Sequence, residues 1–231
     1  VSDSNGSQYW LDRWAQNNTR WHQTNIEPLL IQHFSVVKPT TVLVPLCGKT
    51  KDLTYLASLG HHVVGVELSS IACEAFFNEN QISYVIESIQ DFSVYRSERI
   101  EIFCGDFFNL TPEHVQGLGA IYDRAASIAL PDDLRKKYVS HLKTLIRKSQ
   151  ASSVTTLLIA IDYQSDFKGP PFAVSETMVR ELWNGFEIER LESATEAVAL
   201  NAADADKMSD VVETGYFIRS RAFEGDEHRK L

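Results

Sequence analysis

Short β-branched runs alternate along this chain with segments whose apolar residues return at helical spacing, the pattern of an α/β sheet. Thr41–Pro45 is the first clear run. Asp52–Leu59 follows, with Leu53, Leu56 and Leu59 on one helical face and Gly60 placed as a C-cap. His62–Val66 is a second strand ending at Glu67, and Ser69 is placed to cap a helix through Phe77. Ile100–Cys104 reads as a third strand and Ala120–Tyr122 as the core of a fourth. Pro131 and Asp132 open a helix in which Leu134, Tyr138, His141, Leu142 and Leu145 recur at helical spacing. Val154–Ile161 is an unbroken apolar and β-branched run, as a strand covered on both faces should be. Ser175–Trp183 fits a further helix, and Phe186–Leu191 and Tyr216–Arg221 fit two alternating strands. The pattern predicts about seven strands in a Rossmann-like, doubly wound sheet, mostly parallel, with helices on both faces. The last two strands have no obvious helix between them, so an antiparallel pair is expected at one edge. Ser193–Ser209, rich in Ala, Asp and Asn, shows no clear apolar period and reads as a loop or a frayed helix.

Composition narrows the partners. The chain has 231 residues, 22 Lys+Arg against 31 Asp+Glu, and a net charge of -9. That length suits one domain, and at this size folding hides roughly 70% of the unfolded chain's surface, so no staples are needed. The acidic balance argues against nucleic acid and against an anionic membrane surface, both of which need a cationic stripe. No apolar run approaches the ~20 residues that span a bilayer, and none resembles a signal peptide. The polar start, VSDSNGSQ, reads as a disordered arm or an expression remnant. Cys47, Cys73 and Cys104 form no CxxC pair, which points to free thiols in a reduced, cytoplasmic protein. No His/Cys/Asp cluster has metal-ligand spacing, so no metal is expected.

The first crossover carries the chemistry. In doubly wound sheets ligands bind beyond the carboxyl ends of the strands, where strand order reverses. Here a strand, a tight Leu46–Gly48 loop, a helix and a second strand end on a lone carboxylate, Glu67. A carboxylate at that tip is placed to accept both hydroxyls of a ribose. The loop lacks the GxGxxG that brings a backbone close to a pyrophosphate, and it lacks a GxxxxGK[ST] phosphate cradle. A nucleoside ligand without pyrophosphate fits better than a nicotinamide dinucleotide, and S-adenosylmethionine is the commonest such ligand on this architecture.

The segments WLDRWAQNNTRWHQ, VLVPLCGKTKDLTYLASLGHHVVGVELS, CGDFF, YDRAASIALP and GPPFAVS, in this order, resemble the thiopurine S-methyltransferase family. The likeness runs from Trp10 to about Leu191, most of the chain. It implies a class I S-adenosylmethionine-dependent methyltransferase with a thiol acceptor, or in some relatives a selenium, tellurium or halide acceptor. It also implies a division into residues 1–23, an arm folding over the cofactor as a lid, and residues 24–231, the Rossmann-like core of the same single domain.

The resemblance assigns roles residue by residue. Trp14 would contact the cofactor, where an indole face beside a sulfonium is worth on the order of 0.5–2 kcal/mol. Trp10 and Trp21 would line the acceptor pocket, Trp21 standing where the family often has Phe. His22 would be a pocket residue or a base. Leu46 and Gly48 would approach the methionine part, Glu67 the ribose, Asp106 the adenine amino group and Phe107 the purine ring, with Phe108 in the core. Arg124 would meet the methionine carboxylate or an anionic acceptor, and Asp123 would fix that Arg, meet the cofactor's ammonium, or form a buried structural pair. Phe172 is a candidate pocket wall.

No catalytic residue announces itself, since methyl transfer to a soft thiolate chiefly needs alignment. Among residues 192–212, Lys207 is the only cation, so no arginine there matches the one some relatives bring to the acceptor. The expected partner is a small thiol or soft anion, the product S-adenosylhomocysteine, and the chain a monomer. The rival readings are a nicotinamide-dependent oxidoreductase and a non-catalytic S-adenosylmethionine sensor.

Overall fold

The computed structural model describes residues 6–164, 167–194 and 208–220. Residues 195–207, with Lys207 and most of the stretch that sequence leaves as a loop or frayed helix, lie outside the described residues, as do the first five. The elements in chain order are α1 (Ser7–Ala15), α2 (Pro28–His33), β1 (Thr41–Pro45), α3 (Asp52–Ser58), β2 (His62–Glu67), α4 (Ser70–Glu79), β3 (Val85–Ile89) and β4 (Phe92–Arg96). They continue as β5 (Ile100–Cys104), β6 (Leu118–Arg124), α5 (Asp132–Lys148), β7 (Thr155–Gln164), α6 (Glu176–Leu182), β8 (Glu187–Ala194) and β9 (Ser209–Arg219).

The strands form one sheet in the order β3-β4-β5-β2-β1-β6-β7-β9-β8. The central run β5-β2-β1-β6-β7 is parallel. Both flanks are antiparallel: β3, β4 and β5 on one side, β7, β9 and β8 on the other. Strand order reverses between β1 and β6, whose carboxyl ends therefore open a crevice.

Local chemistry sets the boundaries. β1 is buried on both faces along its whole length, as its TVLVP sequence requires. The Ser69 hydroxyl accepts from Ala72 N and caps α4, and Ser175 accepts from Met178 N and caps α6. Asp132 and Asp133 occupy the first turn of α5 and Arg147 and Lys148 the last, matching the helix dipole. Strand alternation sends Leu43, Val64 and Ile121 into one core with α5 and α6, and Val42, Val63 and Tyr122 into the other with α2, α3 and α4. Helices thus cover both faces, as expected.

The strand count differs from expectation: the sheet has nine strands among the described residues, not seven. The additional pair is the β3–β4 hairpin at one edge. Four of the five β3 residues are exposed, so no half-buried alternation marks the strand in sequence. Its turn, Gln90-Asp91, uses Gln90 at φ +51 where Asn or Gly is the usual signal. The antiparallel edge that sequence predicts is present, but β9 lies inside it, and β9 begins at Ser209 rather than Tyr216. Among the described residues no helix is long and apolar enough to cross a membrane.

Candidate active site

A cavity of about 600 Å³ opens at the carboxyl ends of β1, β2, β5 and β6. Two residues at its floor, Leu46 after β1 and Ala125 after β6, take left-handed backbone conformations with φ of +48 and +66. Such conformations are costly for residues with a Cβ and gather where surrounding structure holds them for a purpose. Gly48 (φ +54) follows in the same loop, and a Cβ on it would stand 3.3 Å from Cζ2 of Trp14. The loop therefore presents bare backbone to the cavity, closed over on one side by the indole.

Glu67 ends β2, is buried, and faces the same cavity. Its Oε2 accepts from Gly48 N and its Oε1 from Ser69 N, each at 2.8 Å. A carboxylate offers about four lone-pair sites, so acceptor capacity remains for hydroxyl donors. Burial pushes the carboxyl above its ordinary range, against the pull of the backbone N–H groups of Ser69, Gly48 and Leu68. Donors from a diol would offset that cost, which suits this carboxylate to a ribose.

Beyond β5, Asp106 caps a short turn by accepting from Phe108 N at 2.9 Å, and it also lines the cavity. Capping the turn occupies Oδ1 and leaves the other carboxylate oxygen for a ligand. Phe107 is buried against Tyr138, with ring centroids 5.1 Å apart, and shows a face to the cavity. Phe108, expected in the core, is instead exposed at the cavity rim, because the turn after Asp106 aims it outward.

At the end of β6, Asp123 and Arg124 part company. Asp123 is fully buried and accepts from Ser127 N (3.0 Å), Ser127 Oγ (2.6 Å) and the Tyr138 hydroxyl (2.9 Å). It belongs to the structural reading and neither fixes Arg124 nor lines the cavity. Arg135, also buried, donates to Ser127 O and Leu130 O at 2.8 Å, so the loop after β6 is held from beneath. Arg124 lines the cavity, and its Nε lies 3.6 Å from Oε2 of Glu27, the residue capping α2. Asp52 sets that partner in place: its Oδ1 accepts from Glu27 N and its Oδ2 from the Tyr122 hydroxyl, both at 2.9 Å. Glu213 of β9, a third carboxylate beside Glu67 and Asp106, also faces the cavity.

The arm contributes its tryptophans together. Trp10 and Trp14 each meet Trp21 edge to face, with ring centroids 5.1 and 5.8 Å apart, and all three line the cavity. Arg13 lies over the Tyr9 ring at 4.6 Å. The buried Trp10 Nε1 has no acceptor among the described residues, a donor suited to a ligand. His22 lines a small recess beside Arg124; burial and then Lys49 hold its imidazole below the ordinary range. The wall assigned to Phe172 is made instead by Pro170 and Pro171, since the Phe172 ring folds back over Gly169.

Nine of the expected residues thus meet at one cavity: Trp10, Trp14 and Trp21 from the arm, Leu46, Gly48 and Glu67, Asp106 and Phe107, and Arg124. Sequence reasoning missed Glu27 and Glu213. Glu27 could have been found as a polar residue before Pro28 and the apolar Leu29-Leu30-Ile31, a helix start. No comparable signal marks Glu213. The donor set suits S-adenosylmethionine: acceptors at Glu67 and Asp106, an aromatic face at Phe107, bare backbone at Leu46–Gly48, and indoles above.

Comparison with known proteins gives a consistent picture. The family described as thiopurine S-methyltransferase (TPMT) matches residues 5–221. A thiopurine S-methyltransferase of Pseudomonas fluorescens is 42% identical over 190 residues, 80% of this chain and 85% of the relative. A probable thiopurine S-methyltransferase of Yarrowia lipolytica is 38% identical, covering 76% of this chain and 83% of the relative. Among solved structures, the Burkholderia thailandensis 1,6-didemethyltoxoflavin-N1-methyltransferase with bound S-adenosylhomocysteine superposes with a TM-score of 0.60 at 15% identity. That match spans 93% of this chain and 87% of the other, and it speaks to the fold.

Proposed function

This chain belongs to the thiopurine S-methyltransferase family of S-adenosylmethionine-dependent methyltransferases, and from that premise we propose that its acceptor is a small, thiopurine-like thiol or a related soft nucleophile. Bound S-adenosylmethionine supplies an electrophilic methyl group on a sulfonium, open to in-line displacement. The protein's task is to bind, orient and exclude water. Glu67 holds the ribose hydroxyls through its remaining acceptor capacity. Asp106 accepts from the adenine amino group while its other oxygen caps the turn, and Phe107 packs beside the purine. Leu46 and Gly48 give backbone contact to the methionine part.

The observation that carries the reading is the meeting of Arg124 with the indoles of Trp10, Trp14 and Trp21 at one cavity mouth. Arg124 pairs with Glu27 at 3.6 Å and makes no hydrogen bond among the described residues, so its guanidinium can take a carboxylate or an anionic acceptor. Trp14 and its neighbours set apolar, electron-rich faces where a cation and a soft acceptor meet. The described part of the arm, residues 6–23, acts as a lid on the core that follows it. The free thiols of Cys47, Cys73 and Cys104 support a reduced, cytoplasmic setting.

The test is turnover of methyl-labelled S-adenosylmethionine against aromatic and aliphatic thiols, hydrogen sulfide, selenite, tellurite and iodide. The reading expects label in a thioether from at least one thiol. Tight cofactor binding with no labelled product from any acceptor would replace it with a sensor.

A further inference from the structure

Glu213 is a carboxylate that the reading above leaves without a task. It sits in β9 directly opposite Ile161 of β7, and directly opposed residues of an antiparallel pair share a face. That face is the cavity wall: Ile159, Ile161 and Glu213 all line it. Glu213 is only 8% exposed, and its carboxylate makes no hydrogen bond among the described residues. Glu27, by contrast, has the Arg124 guanidinium and the Leu29 N–H.

The sheet itself gives a ruler for what Glu213 faces. Neighbouring strands are about 4.8 Å apart, so along β2-β1-β6-β7-β9 Arg124 stands roughly 10 Å from Glu67, and Glu213 roughly 20 Å. The adenosine end is anchored at β5 and β2 and the methionine end at β1 and β6. What lies further along, between β6 and β9, is the acceptor's side.

We propose that Glu213 is the general base of this enzyme, taking the proton of a neutral thiol beside Arg124, and that the acceptor class therefore includes un-ionised small thiols. This deepens, and rests on, the thiol reading above. In the step the acceptor's S–H bond breaks and its proton bonds to a Glu213 oxygen. The sulfur electron pair forms the new bond to the methyl carbon as the bond from that carbon to the sulfonium breaks. The sulfonium becomes a neutral thioether, and protonated Glu213 later gives its proton to water, so charge and atoms balance.

The electrostatics suit the task. Among the described residues the charged groups facing Glu213 are Glu27, ahead of α2, and Arg124 of β6; β7 opposes it with Ile161 and β8 with Ala194, neither of which titrates. Burial first, and then Glu27, push the carboxyl up to about 7, with Arg124 pulling the other way. A base poised near the working pH is the most effective kind. The Arg124 guanidinium, lining the same cavity, supplies the charge that stabilises the thiolate as it forms.

The experiment compares wild type with Glu213→Gln on thiols graded by their solution pKa. One is an aromatic thiol fully ionised at the assay pH. The proposal expects kcat/KM for the un-ionised thiols to fall roughly 10²-fold or more, the range of a lost general base, with the pre-ionised thiol little affected. The acid limb of the wild-type pH profile, near 7, should move in the variant to the thiol's own pKa. Two readouts do not depend on turnover. S-adenosylhomocysteine affinity by calorimetry should be unchanged, and ultraviolet thiolate absorbance of an un-ionised thiol in that complex should be lower in the variant. Equal losses across all thiols, or a weakened S-adenosylhomocysteine affinity, would overturn the proposal; the latter would assign Glu213 to the cofactor's ammonium instead. Wild type that methylates no thiol would fail the acceptor reading itself, a distinct result.

Discussion

Asp123 and Arg124 are consecutive in β6 yet serve opposite faces of the sheet: Asp123 bonds to Tyr138 of α5, and Arg124 pairs with Glu27 at the start of α2. One residue of strand register separates a structural carboxylate from a guanidinium that faces the cavity. The loop between this strand and α5 depends on the first, and the candidate site on the second.

Asp123→Ala therefore tests structure. It leaves the Ser127 N–H, the Ser127 hydroxyl and the Tyr138 hydroxyl without their shared acceptor in a buried place. The expected cost is about 2–4 kcal/mol, read as a lower midpoint in urea with an unchanged slope. A stability loss under ~0.5 kcal/mol would show that water or a rearranged loop satisfies those donors.

Glu67→Gln tests the ribose site. The amide keeps one acceptor oxygen but turns an N–H₂ toward Gly48 N or Ser69 N, both donors. Losing charged hydrogen bonds worth about 1.5–3 kcal/mol predicts roughly 10- to 100-fold weaker S-adenosylhomocysteine binding by calorimetry. Unchanged affinity would remove Glu67 from the site.

Gly48→Ala tests the loop under Trp14. A left-handed φ of +54 costs an alanine about 1–2 kcal/mol, and the new Cβ meets Trp14 Cζ2 at 3.3 Å. Both effects should lower stability and weaken S-adenosylhomocysteine binding, and tryptophan fluorescence should report the displaced indole.

Glu213 should leave a mark on stability as well. Its folded carboxyl titrates near 7 and its unfolded one near the ordinary 4.5. Between those values the folded state holds more protons, so stability present below pH 4.5 is lost as pH rises through 7, by up to ~3 kcal/mol. Glu213→Gln removes this term. The variant should unfold at a higher temperature than wild type at pH 8 and at a similar temperature at pH 4.5; equal behaviour at both would refute the buried, ionised carboxylate.

The parts legible in sequence are those where one local rule suffices. β1 and β5 fall at the expected residues because their apolar runs are bounded by turn formers, and Ser69 caps the helix it was expected to cap. The β3–β4 hairpin was hidden because Val85 and Ile86 are exposed on an edge strand, so their hydrophobicity carries no burial pattern. Glu67 was legible because a strand–loop–helix–strand unit fixes where the second tip lies. Glu213 was not, because its place depends on the antiparallel pairing of β9 with β7, more than 50 residues away in the chain. The partner of Arg124 was hidden for a similar reason: Asp52 and Tyr122, from distant elements, bring Glu27 to it.

The most direct measurement is single-turnover transfer of a tritiated methyl group from S-adenosylmethionine to an aromatic thiol by the pure protein in excess over cofactor. The account predicts that the label moves into the aryl methyl thioether with one equivalent of S-adenosylhomocysteine formed. Label that stays in bound cofactor, across that thiol and the wider acceptor panel, would contradict it.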